Sequence, residues 1–448
     1  MTEGNPVSQI IRFTIPMLLG NFAQQLYNTF DSIIVGRFVG DNVLAAVGSA
    51  GPILNLMLVL FIGISVGASI MVSQYFGARQ RENLSRAIGC CITLTGIASL
   101  IIMVMGILLA RPLLQLLNTP ESIIGWCTQY LIILFVGIAG SGYYNIMGGV
   151  LRGLGDSVSA LIYLLIATLL NIVLDYSFVA FFGMGVAGVA LATILAQLVS
   201  AILTMRKLSR MTDIFDLKRE YLQPTRQHAG SLIRLGLPSG ITQAIISMSM
   251  IVTQSLTNSF GEVFIAANVI VMRIDGFVML PAFSFGTAMT TYAGQNIGAN
   301  RMDRVEQGAK QGTLAAMGIS AALTIIILIF GRLIMGIFTE TQELIDLSYR
   351  MMRILGIGYI AMEVTQCLSG IMRGAGDTVT PMWISIINSV ALRVPAAYAL
   401  VALTKTPELP QGDCAMMFVS LVLTWCVGAT LTFIMYRVGR WKKKAIVT

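Results

Sequence analysis

The 448-residue chain is 56% hydrophobic and only 11% charged, whereas a soluble protein carries about a quarter of its residues as Asp, Glu, Lys and Arg. That composition excludes a soluble domain and predicts an all-α integral membrane protein, because a run of about 20 apolar residues spans the hydrocarbon as a helix. The net charge of +8 would suit nucleic acid, but the basic residues cluster at the ends of apolar runs. Membrane lipids, and no nucleic acid, are therefore the expected partners.

In chain order, the start MTEGNPVSQIIRF lacks a basic region followed by an apolar run and a cleavage site, so no cleaved signal peptide is expected. Apolar runs between turn and charge clusters then predict twelve transmembrane helices, near 10–36, 44–73, 87–110, 123–150, 158–182, 186–206, 232–258, 263–294, 311–330, 345–371, 379–403 and 414–436. The basic stretches are GARQRENLSR (77–86), RKLSRMTDIFDLKREYLQPTRQ (206–227), ANRMDR (299–304) and RVGRWKKK (437–444). All fall on one side if the amino terminus is cytoplasmic. The positive-inside rule thus predicts a multi-pass protein of the plasma (cytoplasmic) membrane with both termini cytoplasmic.

Six cysteines without CxxC spacing offer neither a disulfide framework nor a thiolate metal site. The single histidine, His228, removes zinc-protease and Ser-His-Asp chemistry. GMGVAG (183–188) fits a dinucleotide fingerprint but joins two membrane spans without a preceding strand. GISVG (63–67) fits a nucleophile elbow, yet lies inside a span, where glycines at i and i+4 suit close helix packing. No cofactor is expected.

The two halves repeat. QIIRFTIP (9–16) matches SLIRLGLP (231–238), SQYFGARQRE (73–82) matches GQNIGANRMD (294–303), and GGVLRGLGDSV (148–158) matches SGIMRGAGDTV (369–379). Six spans per half is an even number, so the halves run in the same sense, as two lobes related by a pseudo-two-fold axis along the membrane normal. The expected domains are a first lobe at 1–206, a cytoplasmic linker at 207–230, a second lobe at 231–436 and a basic tail at 437–448. In the RGLGD and RGAGD turns, Arg152 with Asp156 and Arg373 with Asp377 are expected to pair and to cap neighbouring helices.

A charge at the bilayer centre costs roughly 2.5 to 3.5 kcal/mol on insertion scales, so the few ionisable residues inside the spans are candidates for function. In the first half, Tyr27 and Asp31 lie one helical turn apart, as do Asn171 and Asp175, and Thr193 follows on the next span. Carboxylate, amide and hydroxyl oxygens suit a small hard cation such as Na⁺, and carboxylates in a poorly solvated cavity equally suit H⁺. At the offsets of 221 and 222, Asn171 corresponds to Leu392, Asp175 to Ala396 and Asp31 to Thr253, so the second half lacks this set. It has instead Arg273, Asp275, Glu363 and Arg393, candidates for a substrate or second-lobe site.

TFDSIIVGR followed by LAAVG, SQYFGA and GQNIGA closing equivalent spans, the paired RGxGD turns, and NIVLD followed by GVAGVALAT together resemble the multidrug and toxic compound extrusion (MATE) family. The resemblance covers nearly the whole chain. It implies a non-enzymatic antiporter that spends an H⁺ or Na⁺ gradient to export amphipathic, mostly cationic small molecules by alternating access, acting as a monomer. The family's coupling site would fall on Asp31, Asn171, Asp175 and Thr193, with Tyr27 beside Asp31. The span at 232–258 has no acidic residue where some members carry one, which favours coupling through the first lobe. Two rivals are a lipid-linked saccharide flippase, disfavoured by having only Arg273 and Arg393 as clear intramembrane cations, and an intramembrane enzyme, for which no nucleophile, base or metal constellation is present.

Overall fold

The computed structural model describes residues 1–38, 41–117, 119–407 and 409–447, with the side chains of 28–47, 49 and 52 lying outside the described set. The fold is all-α. Its helices are α1 (Pro6–Phe38), α2 (Asp41–Gly77), α3 (Arg81–Leu116), α4 (Glu121–Val136), α5 (Ile138–Leu154), α6 (Ser157–Tyr176), α7 (Gly185–Ser209), α8 (Arg226–Asn258), α9 (Glu262–Val278), α10 (Leu280–Gly298), α11 (Met302–Gly336), α12 (Gln342–Gly374), α13 (Val379–Ile386), α14 (Arg393–Leu403) and α15 (Ala415–Val438). Among the described residues ten spans are long and apolar enough to cross a membrane, with α9 and α10 forming one of them. The α4–α5 pair, bent by 52°, makes an eleventh, and the helix α1 stands where the first of the twelve spans is expected.

The repeat is visible in local geometry as well as in sequence. Arg79 and Asn300, each just past the end of a matched helix, both adopt φ 55°, a left-handed conformation that costs a non-glycine residue energy and so marks a specified helix stop. Gly155 and Gly376 adopt φ 92° and 95°. Each is followed by an aspartate that caps the next helix: Asp156 accepts from Ser159 N at 2.9 Å and Oγ at 2.7 Å, and Asp377 from Thr380 N at 3.2 Å and Oγ1 at 2.8 Å. The expected capping is thus present, but the expected Arg–Asp pairing is not. Arg152 donates to Ser65 Oγ at 3.0 Å and Arg373 to Gln366 Oε1 at 3.5 Å. With the aspartates facing the following helix, Arg152 reaches across to α2 and Arg373 turns back along α12.

By contacts the chain forms two compact units, one of Leu19–Gly240 and one of Met1–Leu18 with Ile241–Thr448. These are a different division from the lobes read from the repeat at 1–206 and 231–436. The chain passes between units inside α1 and inside α8, two residues after Pro16 and Pro238 respectively. Packing explains it. In the Leu19–Gly240 unit the first half of α8 lies directly on α2: a Cβ on Gly63 would stand 2.6 Å from Gly240 N, and one on Gly67 would stand 2.7 Å from Gly236 N. The other unit takes Ile10 and Phe13 of α1 into a core with Phe285, Met289, Tyr292 and Ile371.

The first unit's other core gathers Leu131, Phe135, Val186 and Ala190 from α4 and α7, and the second unit's gathers Phe264, Met351, Tyr359 and Phe418. The region expected as a linker at 207–230 is shorter, since α7 runs to Ser209 and α8 starts at Arg226. It is docked rather than loose. Arg81 at the start of α3 grips Asp216 with two hydrogen bonds of 3.0 Å, Phe215 is buried, and Thr93 donates to Leu222 O.

Candidate cation site and a second polar cluster

Span α6 ends in a change of helix type. After Tyr176 the backbone widens into a π-helix, Ser177–Phe181, before the turn at Gly183 (φ 61°) and Gly185 (φ 55°) starts α7. π segments are rare and concentrate at functional positions, because they displace the side chains beside them from the ordinary helical register. Asp175 sits two residues before this one.

Asp175 is fully buried and Asn171 is 2% exposed. With its amide oriented by its hydrogen-bonding surroundings, Asn171 donates to Asp175 Oδ2 at 2.7 Å and accepts from Thr193 N at 3.2 Å. Thr193 Oγ1 stands 3.5 Å from the same amide and donates to Val189 O at 3.0 Å. Three residues singled out from sequence are therefore brought together, two by helical spacing within α6 and the third by the close return of α7. Tyr27 lies half-buried on α1, in the same contact unit. The side chain of Asp31 lies outside the described residues.

The second set divides. Arg273 is exposed, whereas Asp275, two residues on, is partly buried, as expected for positions on different faces. Asp275 interacts with the Tyr359 hydroxyl and lies in the field of Arg393. Arg393 opens α14 directly after a second π-helix, Ile387–Leu392. Glu363, one turn beyond Tyr359 on α12, is 1% exposed, and its Oε2 has no hydrogen-bond partner among the described residues. Three of the four candidates thus belong to the interior of the second unit and Arg273 does not. Tyr359 was not anticipated; its spacing of four from Glu363 was the available signal, but a tyrosine in an apolar span is ordinary.

No group of three or more His, Cys, Asp or Glu side chains able to hold a metal ion occurs among the described residues. The groups brought together at α6–α7 are a single buried carboxylate, an amide N–H and a hydroxyl.

Comparison with known proteins agrees with this architecture. The MatE family model matches the chain twice, over residues 16–177 and 238–399, two matches of equal length at the offset of the sequence repeat. The probable multidrug resistance protein YoeA of Bacillus subtilis is 31% identical over 97% of this chain and 94% of its own length. The probable multidrug resistance protein NorM of Thermotoga maritima is 25% identical over 98% of the chain and 94% of its own. An outward-facing structure of a multidrug resistance MATE family transporter of the MOP superfamily superposes with a TM-score of 0.90 at 25% identity, covering 97% of this chain and 96% of that one. With both halves matched by one family model and the whole fold shared, the chain belongs to the MATE family of multi-pass membrane transporters, which are not enzymes.

Proposed function

We propose that this transporter is a cation-coupled multidrug antiporter of the plasma membrane, with both termini cytoplasmic, and that its coupling ion binds at Asp175 and Asn171 with Asp31, Thr193 and Tyr27. The observation that carries the reading is the burial of Asp175 against the Asn171 amide at the π-helical end of α6. A carboxylate kept in that setting is costly when ionised, and the cost is offset each time a cation arrives. The names of relatives in multidrug resistance support a drug-like substrate class.

With the site open to the outside, H⁺ or Na⁺ neutralises Asp175, relieves the desolvation penalty and favours the conformer that releases drug. The two lobes then expose the site inward and the ion leaves to the cytoplasm. An amphipathic cationic substrate enters from the cytoplasm or inner leaflet while the carboxylates are charged, and the cycle returns. Each ion brings about 2.3 kcal/mol per 100 mV of membrane potential, in addition to its concentration gradient. A proton needs only the carboxylate oxygen. A sodium ion further requires the Asn171 amide to turn its oxygen toward Asp175, since its N–H faces the carboxylate here.

The test is efflux of a fluorescent organic cation from proteoliposomes under a pH gradient or a sodium gradient imposed separately. One gradient is expected to drive efflux in the wild type. Asp175→Asn and Asp31→Asn are expected to lose that drive while remaining folded and monodisperse. Wild-type rates in both variants would refute the assignment.

A further inference from the structure

The second unit contains a cavity of about 620 Å³ between α11, α12 and α15, beneath the folded tail. Its wall has two characters. Leu314, Val364 and Phe433 line it with apolar surface, and Lys310, Arg437, Lys442 and Glu306 line it with charge. Leu314 and Phe433 are 58% and 51% exposed, an exposure that suits spans whose outer faces meet hydrocarbon rather than water. The cavity therefore opens sideways toward lipid at the level where its cations reach the interface.

Two of the cations, Arg437 and Lys442, are held in place. After Gly439 (φ 74°) the chain turns into a short helix, Arg440–Lys443. Trp441 is 1% exposed, stacks on Tyr436 with ring centroids 5.2 Å apart and donates Nε1–H to Tyr436 O at 2.8 Å. This plug sets Lys442 against Glu306 of α11, while the Arg437 guanidinium lies 6.0 Å from the centre of the Phe433 ring. Three cations against one carboxylate leave a positive edge, so a ligand with an anionic head and an apolar tail is complementary to both parts of the wall.

We propose that this cavity binds one anionic phospholipid from the leaflet on the tail's side of the membrane, its phosphate on Lys310, Arg437 and Lys442 and an acyl chain along Leu314, Val364 and Phe433. The site is separate from the candidate ion site, which belongs to α6 and α7, and the proposal holds whether or not that assignment does.

Native mass spectrometry of the purified full chain tests it, with 1-palmitoyl-2-oleoyl phosphatidylglycerol and the corresponding phosphatidylcholine supplied at equal concentration. The wild type is expected to retain one phosphatidylglycerol with a preference of about tenfold or more. Lys310→Gln/Arg437→Gln/Lys442→Gln is expected to bring the preference to within about twofold. Val364→Trp, which fills the cavity, is expected to lower retention of both lipids. Arg210→Gln/Arg219→Gln/Arg226→Gln removes three basic residues from the linker region and is expected to leave the preference intact. Equal retention of both lipids by the wild type would overturn the proposal. So would an equal loss in the linker variant, which would mean diffuse surface attraction, or displacement of the lipid by equimolar glycerol 3-phosphate, which would mean a plain anion site.

Discussion

Spans α6 and α13–α14 hold the same place in the two halves and carry opposite chemistry. The first presents Asn171 and Asp175 ahead of a π-helix. The second has Leu392 and Ala396 at the matching positions and Arg393 immediately after its own π-helix, Ile387–Leu392. A duplicated scaffold keeps its backbone devices, the helix stops at Arg79 and Asn300 and the caps at Asp156 and Asp377, while its buried polar groups diverge. Groups needed to hold the scaffold recur in both halves, and groups confined to one half are those best placed to do something the scaffold does not require.

The same contrast holds in packing, and there it predicts the largest effect. Gly67 and Ala288 are repeat equivalents at the offset of 221 that aligns SQYFGA with GQNIGA. Ala288 carries a methyl into the second unit's core, whereas in the first unit the α8 backbone stands against Gly67, with Gly236 N 2.7 Å and Leu232 O 2.8 Å from a Cβ there. Gly67→Ala, which installs the other half's residue against that backbone, is expected to cost about 3 kcal/mol and to lower the yield of monodisperse protein in size-exclusion chromatography. Ala288→Gly, the reverse exchange, removes one methyl from a core and is expected to yield folded protein with a slightly lowered melting temperature. If both exchanges are tolerated alike, the asymmetry in packing has no energetic content.

At the polar cluster the corresponding exchange is Asn171→Leu. It removes the N–H that meets Asp175 at 2.7 Å and leaves the fold's apolar pattern unbroken. The apparent affinity for the driving ion is expected to fall by about ten- to hundredfold, the usual cost of losing a group that orients a ligating side chain. Titration of efflux against the driving ion reads this as a raised half-saturation with intact protein. An unchanged half-saturation would make Asn171 a packing residue. Glu363→Gln, at the buried acid of the second unit, is expected to alter coupling by less than about threefold. Loss of coupling there would transfer the ion site to the second half.

Much of this was legible in the sequence, and each success has a physical reason. Spans are long apolar runs because lipid cannot satisfy backbone groups or solvate charges, so their number and order can be read directly. Asn171 with Asp175 was readable because residues four apart share a helical face, and Gly63 with Gly67 because a small residue at each turn permits backbone contact. The failures also have reasons. Arg152 and Asp156 have compatible charge and spacing, but the aspartate gains more as a cap on the following helix, which no pair rule reveals. Tyr359 and Trp441 were missed because aromatic residues near spans are common, and only the fold shows one against Asp275 and the other anchoring the tail on Tyr436.

The segments that leave the last span of each half complete the comparison and predict the smallest effect. Both fold back onto the helix that opens with a charged turn, but with the charges exchanged: α3 supplies Arg81 to Asp216 of the linker, and α11 supplies Glu306 to Lys442 of the tail. The Arg81 guanidinium, hydrogen-bonded to it, holds the Asp216 carboxyl below the usual carboxylate range. A depressed folded value means that the stabilisation is present above the unfolded value, about 3.9 for Asp, and is lost as pH falls through the folded value. The pair is exposed, so its contribution is modest. Asp216→Asn is expected to speed tryptic cleavage at Lys218 and Arg219 by about two- to threefold at pH 7, as the docked linker opens more often. Thermal unfolding of linker-region fluorescence should separate the variant from the wild type at neutral pH and bring the two together as pH falls below the folded value. A difference that persisted undiminished at low pH would mean that the backbone contacts of Arg81 with Thr212 and Asp213, and not its pairing with the carboxylate, hold the linker.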